Sequence, residues 1–138
     1  MPDVPTGFDA LIGLRYDKQG ADRVVARWTV RPQLLQPFGL VHGGVHCAVV
    51  ESTASVGGAL WAVERFGEQS GVVGVNNNTD FYRAVTEGEL TAVAAPVHQG
   101  RTQQVWQVHI TDAADRLVAR GQVRLHNLNA TRQPASGS

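Results

Sequence analysis

The chain has 138 residues, of which 43% are apolar and 17% charged, with twelve basic side chains balanced by twelve acidic ones. That length suits one domain with a real core and is short for two of ordinary size. A neutral balance, a single lysine (Lys18) and the lack of any Lys/Arg block exclude the charged footprint of a duplex-binding surface, so no nucleic acid partner is expected.

The first twenty residues lack a basic start, an apolar run and a small-residue cleavage site, and no later run has the length of a membrane span. A cytoplasmic location and no membrane partner are therefore expected. Cys47 stands alone, which rules out an intrachain disulfide and a cysteine-based metal cluster. As a small apolar residue it is expected to be a buried, inert thiol.

Residues 21–31 place Val24, Ala26, Trp28 and Val30 on one side, the period-two pattern of a half-buried strand. The loop PQLLQPFGL follows. From Gly43 to Phe66 there is no proline, small and apolar residues dominate, and Gly67 stands where a helix ends at a C′ glycine. Strands are predicted over 71–85, 88–100, 101–113 and 116–128, joined by turn-like connectors short enough to make neighbours antiparallel. In the third of these, Gln104, Trp106, Val108 and Ile110 alternate with Val105, Gln107, His109 and Thr111, so one face is apolar and the sheet is covered on one side. The pattern predicts an α+β domain over 1–128, with one long helix wrapped by an antiparallel sheet of five to six strands. The tail, 129–138, is Pro/Ser/Gly-rich and expected to be disordered.

One carboxylate, Glu51, interrupts the small-residue helix. At 3.6 residues per turn it shares a stripe with Gly44, Ala48, Ser55 and Gly58, while Val45, Val49, Val56 and Leu60 fall on another face. No Arg or Lys stands one turn away, so either Glu51 faces a cleft or a residue distant in sequence pairs with it. Gly43 and Gly44 open the helix, where N–H groups without intrahelical partners are placed to hold a developing oxyanion. His42 and His46 are four apart, but the spacing is not that of a HExxH zinc site, and no metal is expected. Ser52 and Ser55 lie inside the helix rather than on a GxSxG elbow, which disfavours a serine hydrolase triad.

The stretch QPFGLVHGGVHCAVVESTAS, residues 36–55, resembles the hotdog-fold acyl-CoA thioesterases of the 4-hydroxybenzoyl-CoA and PaaI-like type, through the pattern Q-x5-H-G-G-x6-E-x3-[ST]. The resemblance extends over about residues 20–128. It implies a long helix wrapped by an antiparallel sheet, assembly as homodimers commonly paired into tetramers, and an active site at the subunit interface. Carried over, Glu51 is the catalytic carboxylate, as nucleophile or general base. The Gly43 N–H polarises the thioester carbonyl, Gln36 and His42 help to hold it, and Ser55 orients the carboxylate or water. The resemblance further implies that Phe81 and Tyr82 line an acyl pocket suited to an apolar or aryl group. It also implies that His98, Gly100, Arg101 and Thr102 hold the nucleotide end of coenzyme A, with Arg101 on a phosphate. The substrate is then an aryl- or medium-chain acyl-CoA, hydrolysed without a cofactor.

Other readings of the same residues are a non-catalytic acyl-CoA-binding protein, a hotdog hydratase and a dimerisation module in which the glycines serve packing alone. The acyl group itself is not legible in the sequence.

Overall fold

In a computed structural model, residues 4–131 are described. The disorder expected of the tail falls, for 132–138, outside them. In chain order the elements are α1 (Gly7–Ile12), β1 (Arg15–Gln19), β2 (Val24–Thr29), a 3-10 turn (Pro32–Leu34), α2 (Gly43–Phe66), β3 (Gly71–Phe81), β4 (Glu89–Gln99), β5 (Gln103–Thr111) and β6 (Leu117–Leu128). The strands form one six-stranded sheet in the order β1-β2-β4-β5-β6-β3. Every neighbouring pair is antiparallel. The long helix therefore lies on a single antiparallel sheet, as the alternation of residues led one to expect.

The burial of β5 follows its sequence period: Gln104, Trp106, Val108 and Ile110 are buried, and the intervening residues are not. Val24, Ala26 and Trp28 of β2 are fully buried in the same core. Pro96 interrupts β4, and because proline donates no ladder bond the register of β4 against β5 shifts between Pro96 and His98.

Three features go beyond or depart from the sequence reading. The sheet has six strands, within the five to six expected, but the first is β1, a segment that carries no strand pattern; it is held to β2, with exposed ion pairs from Arg27 to Asp17 (2.6 Å) and from Arg15 to Glu89 of β4 (2.6 Å). Residues 82–85 leave β3 after Phe81, and Val85 instead accepts a bond from Val41 N–H at 2.9 Å. Gly58 belongs to the buried face of α2 rather than to the open stripe: a Cβ there would lie 2.3 Å from Leu125 Cδ1. At Gly57 a Cβ would lie 2.4 Å from the Trp106 ring. Two adjacent glycines thus let the helix settle onto the sheet with Trp106 and Leu125 beneath it.

Close approach outweighs helix propensity at this point. Replacing a helical glycine by alanine ordinarily gains about 1 kcal/mol, whereas forcing a methyl into a packed interface costs about 1–3 kcal/mol. Gly57→Ala is therefore expected to lower unfolding stability by about 1 kcal/mol in urea titration. Gly71→Ala, where a Cβ meets nothing within 4 Å, is expected to be close to neutral.

Candidate active site

The chain enters α2 through a tightly held loop. Gln36 N–H donates to Leu40 O (2.7 Å), Gly39 N–H to Gln36 O (2.9 Å) and His42 N–H to Leu34 O (2.9 Å). Gly39 has φ +83°, a left-handed conformation that glycine adopts without strain. The Gln36 side-chain oxygen accepts from the N–H groups of Phe38 and Leu40, which turns its amide nitrogen away from the loop as an unused donor among the described residues.

His42 is the N-cap of α2, and its Nδ1 accepts the Gly44 N–H at 2.8 Å. With Nδ1 occupied as an acceptor, the neutral ring carries its proton on Nε2. The next donor along, Gly43 N–H, has no acceptor among the described residues. Of the two glycines that open the helix, one N–H is consumed by the cap and the other is left for a ligand.

Gly43 lies under Phe81, whose ring carbons would sit 3.0 Å from a Cβ at that position. A cleft of about 350 Å³ runs past this contact, lined among others by Gln36, Val41, Gly43, His46, Phe81 and Tyr82. Phe81 and Tyr82 are half-exposed and offer their rings to it. His46 is buried at 4% exposure, packed edge-on to Trp28 (6.2 Å between centroids) and tilted against Phe81 (5.8 Å). It is a core histidine, and burial pulls its pKa down from 6.5 to about 4.

Glu51 opens onto a different cleft, of about 420 Å³, lined by Phe8, Gly44, Cys47, Ala48, Glu51, Ser52 and Asn77. Its carboxyl carbon would be 3.2 Å from a Cβ on Gly74 of β3, so that glycine lets the strand pass close to the carboxylate. The strand carries a register shift between Gly74 and Asn76 at the same place, and the three asparagines that follow are paired with β6. Asn77 Nδ2 donates to Cys47 O at 2.9 Å, tying β3 to α2. Among the described residues, Glu51 takes part in no hydrogen bond or ion pair; it is an exposed, unpaired carboxylate. Ser55 lies half-buried one turn on, without a hydrogen bond to Glu51.

Several lining residues carried no sequence signal. Phe8 reaches the Glu51 cleft from α1, and Asp9 of the same short helix accepts from Ser52 Oγ at 2.6 Å and from the Tyr16 hydroxyl at 3.4 Å. Burial and the neighbouring Asp9 push the Tyr16 phenol well above its usual range. Cys47, expected to be buried and inert, is only half-buried and lines the cleft, because it sits on the Glu51 side of the helix rather than on the sheet side. His98 lies at the end of β4, one residue before Gln99, and Gly100, Arg101 and Thr102 form the β4–β5 turn, where Arg101 lines a third cleft with Trp61, Arg65, Phe66 and Gln99.

One chain brings Gln36, His42, Gly43 and Phe81 together at one end of α2 and leaves Glu51 apart from them. Eight residues of helix separate Gly43 from Glu51, about 12 Å at 1.5 Å per residue. That is too far for one carbonyl to touch both.

The sequence pattern described as the thioesterase superfamily matches residues 38–119. Rv1847 of Mycobacterium tuberculosis is 52% identical over 128 residues, covering 93% of this chain and 91% of that protein. The 1,4-dihydroxy-2-naphthoyl-CoA hydrolase of Escherichia coli is 39% identical over 106 residues, covering 77% and 75%. The crystal structure of S. sahachiroi AziG superposes with a TM-score of 0.85 at 53% identity, covering 93% of this chain and 98% of that one.

The buried His46 gives stability a definite pH dependence. Its folded pKa is lowered, so between pH 6.5 and about 4 the unfolded chain binds a proton that the folded one does not. This contribution to stability is full above pH 6.5 and is lost as pH falls, by about 3 kcal/mol at the acid limit. Urea titrations across that window are expected to show the fall in the wild type, and His46→Phe is expected to flatten it.

Proposed function

The chain belongs to the thioesterase superfamily and is a thioester hydrolase, and from that premise we propose that it hydrolyses an aryl- or medium-chain acyl-CoA at a site shared by two copies of the chain. The observation that carries this is the separation just described: an unpaired N–H at Gly43 and an unpaired carboxylate at Glu51, each opening onto a cleft, on one helix but about 12 Å apart. A second copy supplies the missing half.

Strand β3 offers the means. Among the described residues it pairs only with β6, which leaves its other edge without a partner there over Gly71–Phe81, with Val73 and Val75 exposed beside it. Gly74 of this strand lies against Glu51, and Phe81 lies against Gly43. If two copies pair antiparallel along this edge about a point between Asn77 and Asn78, Gly74 of one faces Phe81 of the other. The Glu51 of one copy is then carried toward the Gly43 of its partner, and the homodimer has two equivalent sites.

At such a site the thioester oxygen accepts from the Gly43 N–H at the positive end of α2, with the free Gln36 amide and His42 Nε2–H as further donors. Glu51 from the other copy either attacks the polarised carbonyl carbon or takes a proton from a water that does so. The C–S bond then breaks and coenzyme A leaves as the thiol, having taken up one proton. In the nucleophilic route a single water then cleaves the mixed anhydride, frees Glu51 and returns the proton that the departing thiolate took from solvent. Ser55, one turn beyond, orients the carboxylate or the water. The rings of Phe81 and Tyr82 with Val41 wall the 350 Å³ cleft beside Gly43, which suits a flat aryl or apolar acyl group. The E. coli relative named as a naphthoyl-CoA hydrolase is consistent with such a group. No cofactor is required, since every step is proton transfer or addition at the carbonyl.

Release of free thiol from a panel of aryl- and medium-chain acyl-CoAs tests the reading. Glu51→Ala is expected to lose on the order of a thousand-fold in kcat while melting like the wild type. Gly43→Pro isolates the N–H: position N1 tolerates proline, and His42 already has φ −62° and ψ 132°, as a residue before proline prefers. It is expected to lose on the order of a hundred-fold, against a smaller loss in Gly43→Ala, which keeps the donor and crowds Phe81 equally. Equal losses in both glycine variants would remove the oxyanion role.

A further inference from the structure

Three consecutive backbone carbonyls of the β4–β5 turn converge on one residue. Asn127 Nδ2 donates to Gly100 O and to Arg101 O, both at 2.9 Å, and Asn127 N–H donates to Thr102 O at 2.9 Å. Asn127 Oδ1 accepts from Gln104 Nε2 at 2.9 Å, and the same nitrogen donates to Gly58 O of α2 at 3.0 Å. Trp106 Nε1 donates to Gln104 Oε1 at 2.8 Å. Gln104 is fully buried and Asn127 is 5% exposed. Every polar atom of both amides is used, so neither can flip without setting oxygen against oxygen.

The consequence lies on the other side of the turn. A trans peptide points its N–H opposite to its C=O. With the carbonyls of Gly100 and Arg101 turned in toward Asn127, the N–H groups of Arg101 and Thr102 point out. Neither donates to any group among the described residues. The guanidinium groups of Arg65 and Arg101 line one cleft of about 450 Å³ together with Trp61 and Gln99, and neither has a hydrogen bond or ion pair among the described residues. Successive outward N–H groups form a concavity for an anion, and planar guanidinium groups suit phosphate oxygens. Arg65 stands fourteen residues beyond Glu51 on the same helix (65 − 51), about 21 Å along its axis. A span of that order separates the thioester from the nucleotide of an acyl-CoA.

We propose that Asn127, backed by Gln104, is a positioning residue that turns the Gly100–Thr102 backbone so that its outward N–H groups, with Arg65 and Arg101, receive the phosphates of a coenzyme A nucleotide. This rests on the acyl-CoA reading above. It adds to it a buried residue that touches no substrate and two groups, Trp61 and Arg65, on the opposite wall of the cleft. An apolar residue at 127 would fill the same space and leave the turn free to rotate its peptides.

Asn127→Ala is compared with wild type on two thioesters of one acyl group, one on coenzyme A and one on pantetheine, which lacks the nucleotide. The expected result is a rise in KM of about ten-fold for the acyl-CoA with kcat retained, and kcat/KM for the pantetheine thioester within about two-fold of wild type. Parallel losses on both thioesters, or no loss on either, would overturn the proposal. Calorimetry with adenosine 3′,5′-bisphosphate reads the site without turnover: binding to wild type that weakens about ten-fold in Asn127→Ala supports it, and equal binding, or none to wild type, overturns it. If wild type cleaves neither thioester, the acyl-CoA reading fails while this binding comparison still decides the anion site. Should Asn127→Ala not fold, Thr102→Pro removes one outward N–H with Asn127 in place; weaker bisphosphate binding supports the proposal and unchanged binding overturns it.

Discussion

A straight α-helix fixes the distance between its residues, and here it holds two groups without partners among the described residues, the Gly43 N–H and the Glu51 carboxylate, about 12 Å apart. Much of the architecture can be understood as a consequence. The Gly43 end needs a loop that frees a donor, and the 36–42 loop does this by spending the Gln36 oxygen on its own backbone. The Glu51 region needs an open helix face, which Gly44, Ala48 and the close strand at Gly74 provide. The same strand touches both places, through Gly74 and Phe81, and its far edge has no partner among the described residues. In the proposed shared site, a helix that keeps these two groups apart is matched by an edge that can bring a second helix.

That geometry depends on α2 being held firmly, and here the glycines at 57 and 58 matter more than those at the N-terminus. They admit Trp106 and Leu125 to within contact of the helix backbone. Because Gly58 has no side chain, its carbonyl is open to Gln104 Nε2 at 3.0 Å, so the helix is tied to β5 by a buried hydrogen bond as well as by packing. A buried amide of this kind specifies position more sharply than an apolar contact, since its donors are satisfied in one arrangement only.

What the sequence disclosed follows from which signals are local. Strands half-buried on one face write a period of two, and β2 and β5 were legible for that reason. The helix announced its end through Gly67, which has φ +103°. By contrast β1, an edge strand of the residues RYDKQ, has no fully buried side chain, only the partly buried Tyr16 and Gln19, and so writes no period. Helix α1 has six residues and one buried side chain, too little for a helical stripe. Gly58 was placed on the wrong face because a glycine has no side chain to reveal its direction; only its neighbours Gln104 and Leu125, both distant in sequence, decide the matter. The candidate residues Gln36, His42, Gly43 and Glu51 stood out as a spaced pattern, whereas Phe8 and Asn77 enter the Glu51 cleft through tertiary contacts that no local spacing encodes.

The division of labour at the start of α2 shows how a short motif carries more than its letters. His42 is an N-cap by its Nδ1, and capping by that atom fixes the tautomer, so the ring presents Nε2–H outward. It also removes Gly44 N–H from the set of free donors and leaves Gly43 N–H as the first open one. A serine or aspartate in the same place would cap the helix equally well and offer no second N–H donor. The histidine is thus placed to stabilise the helix and to complete the donor set with one ring, and the glycine after it keeps the approach to its N–H clear beneath Phe81.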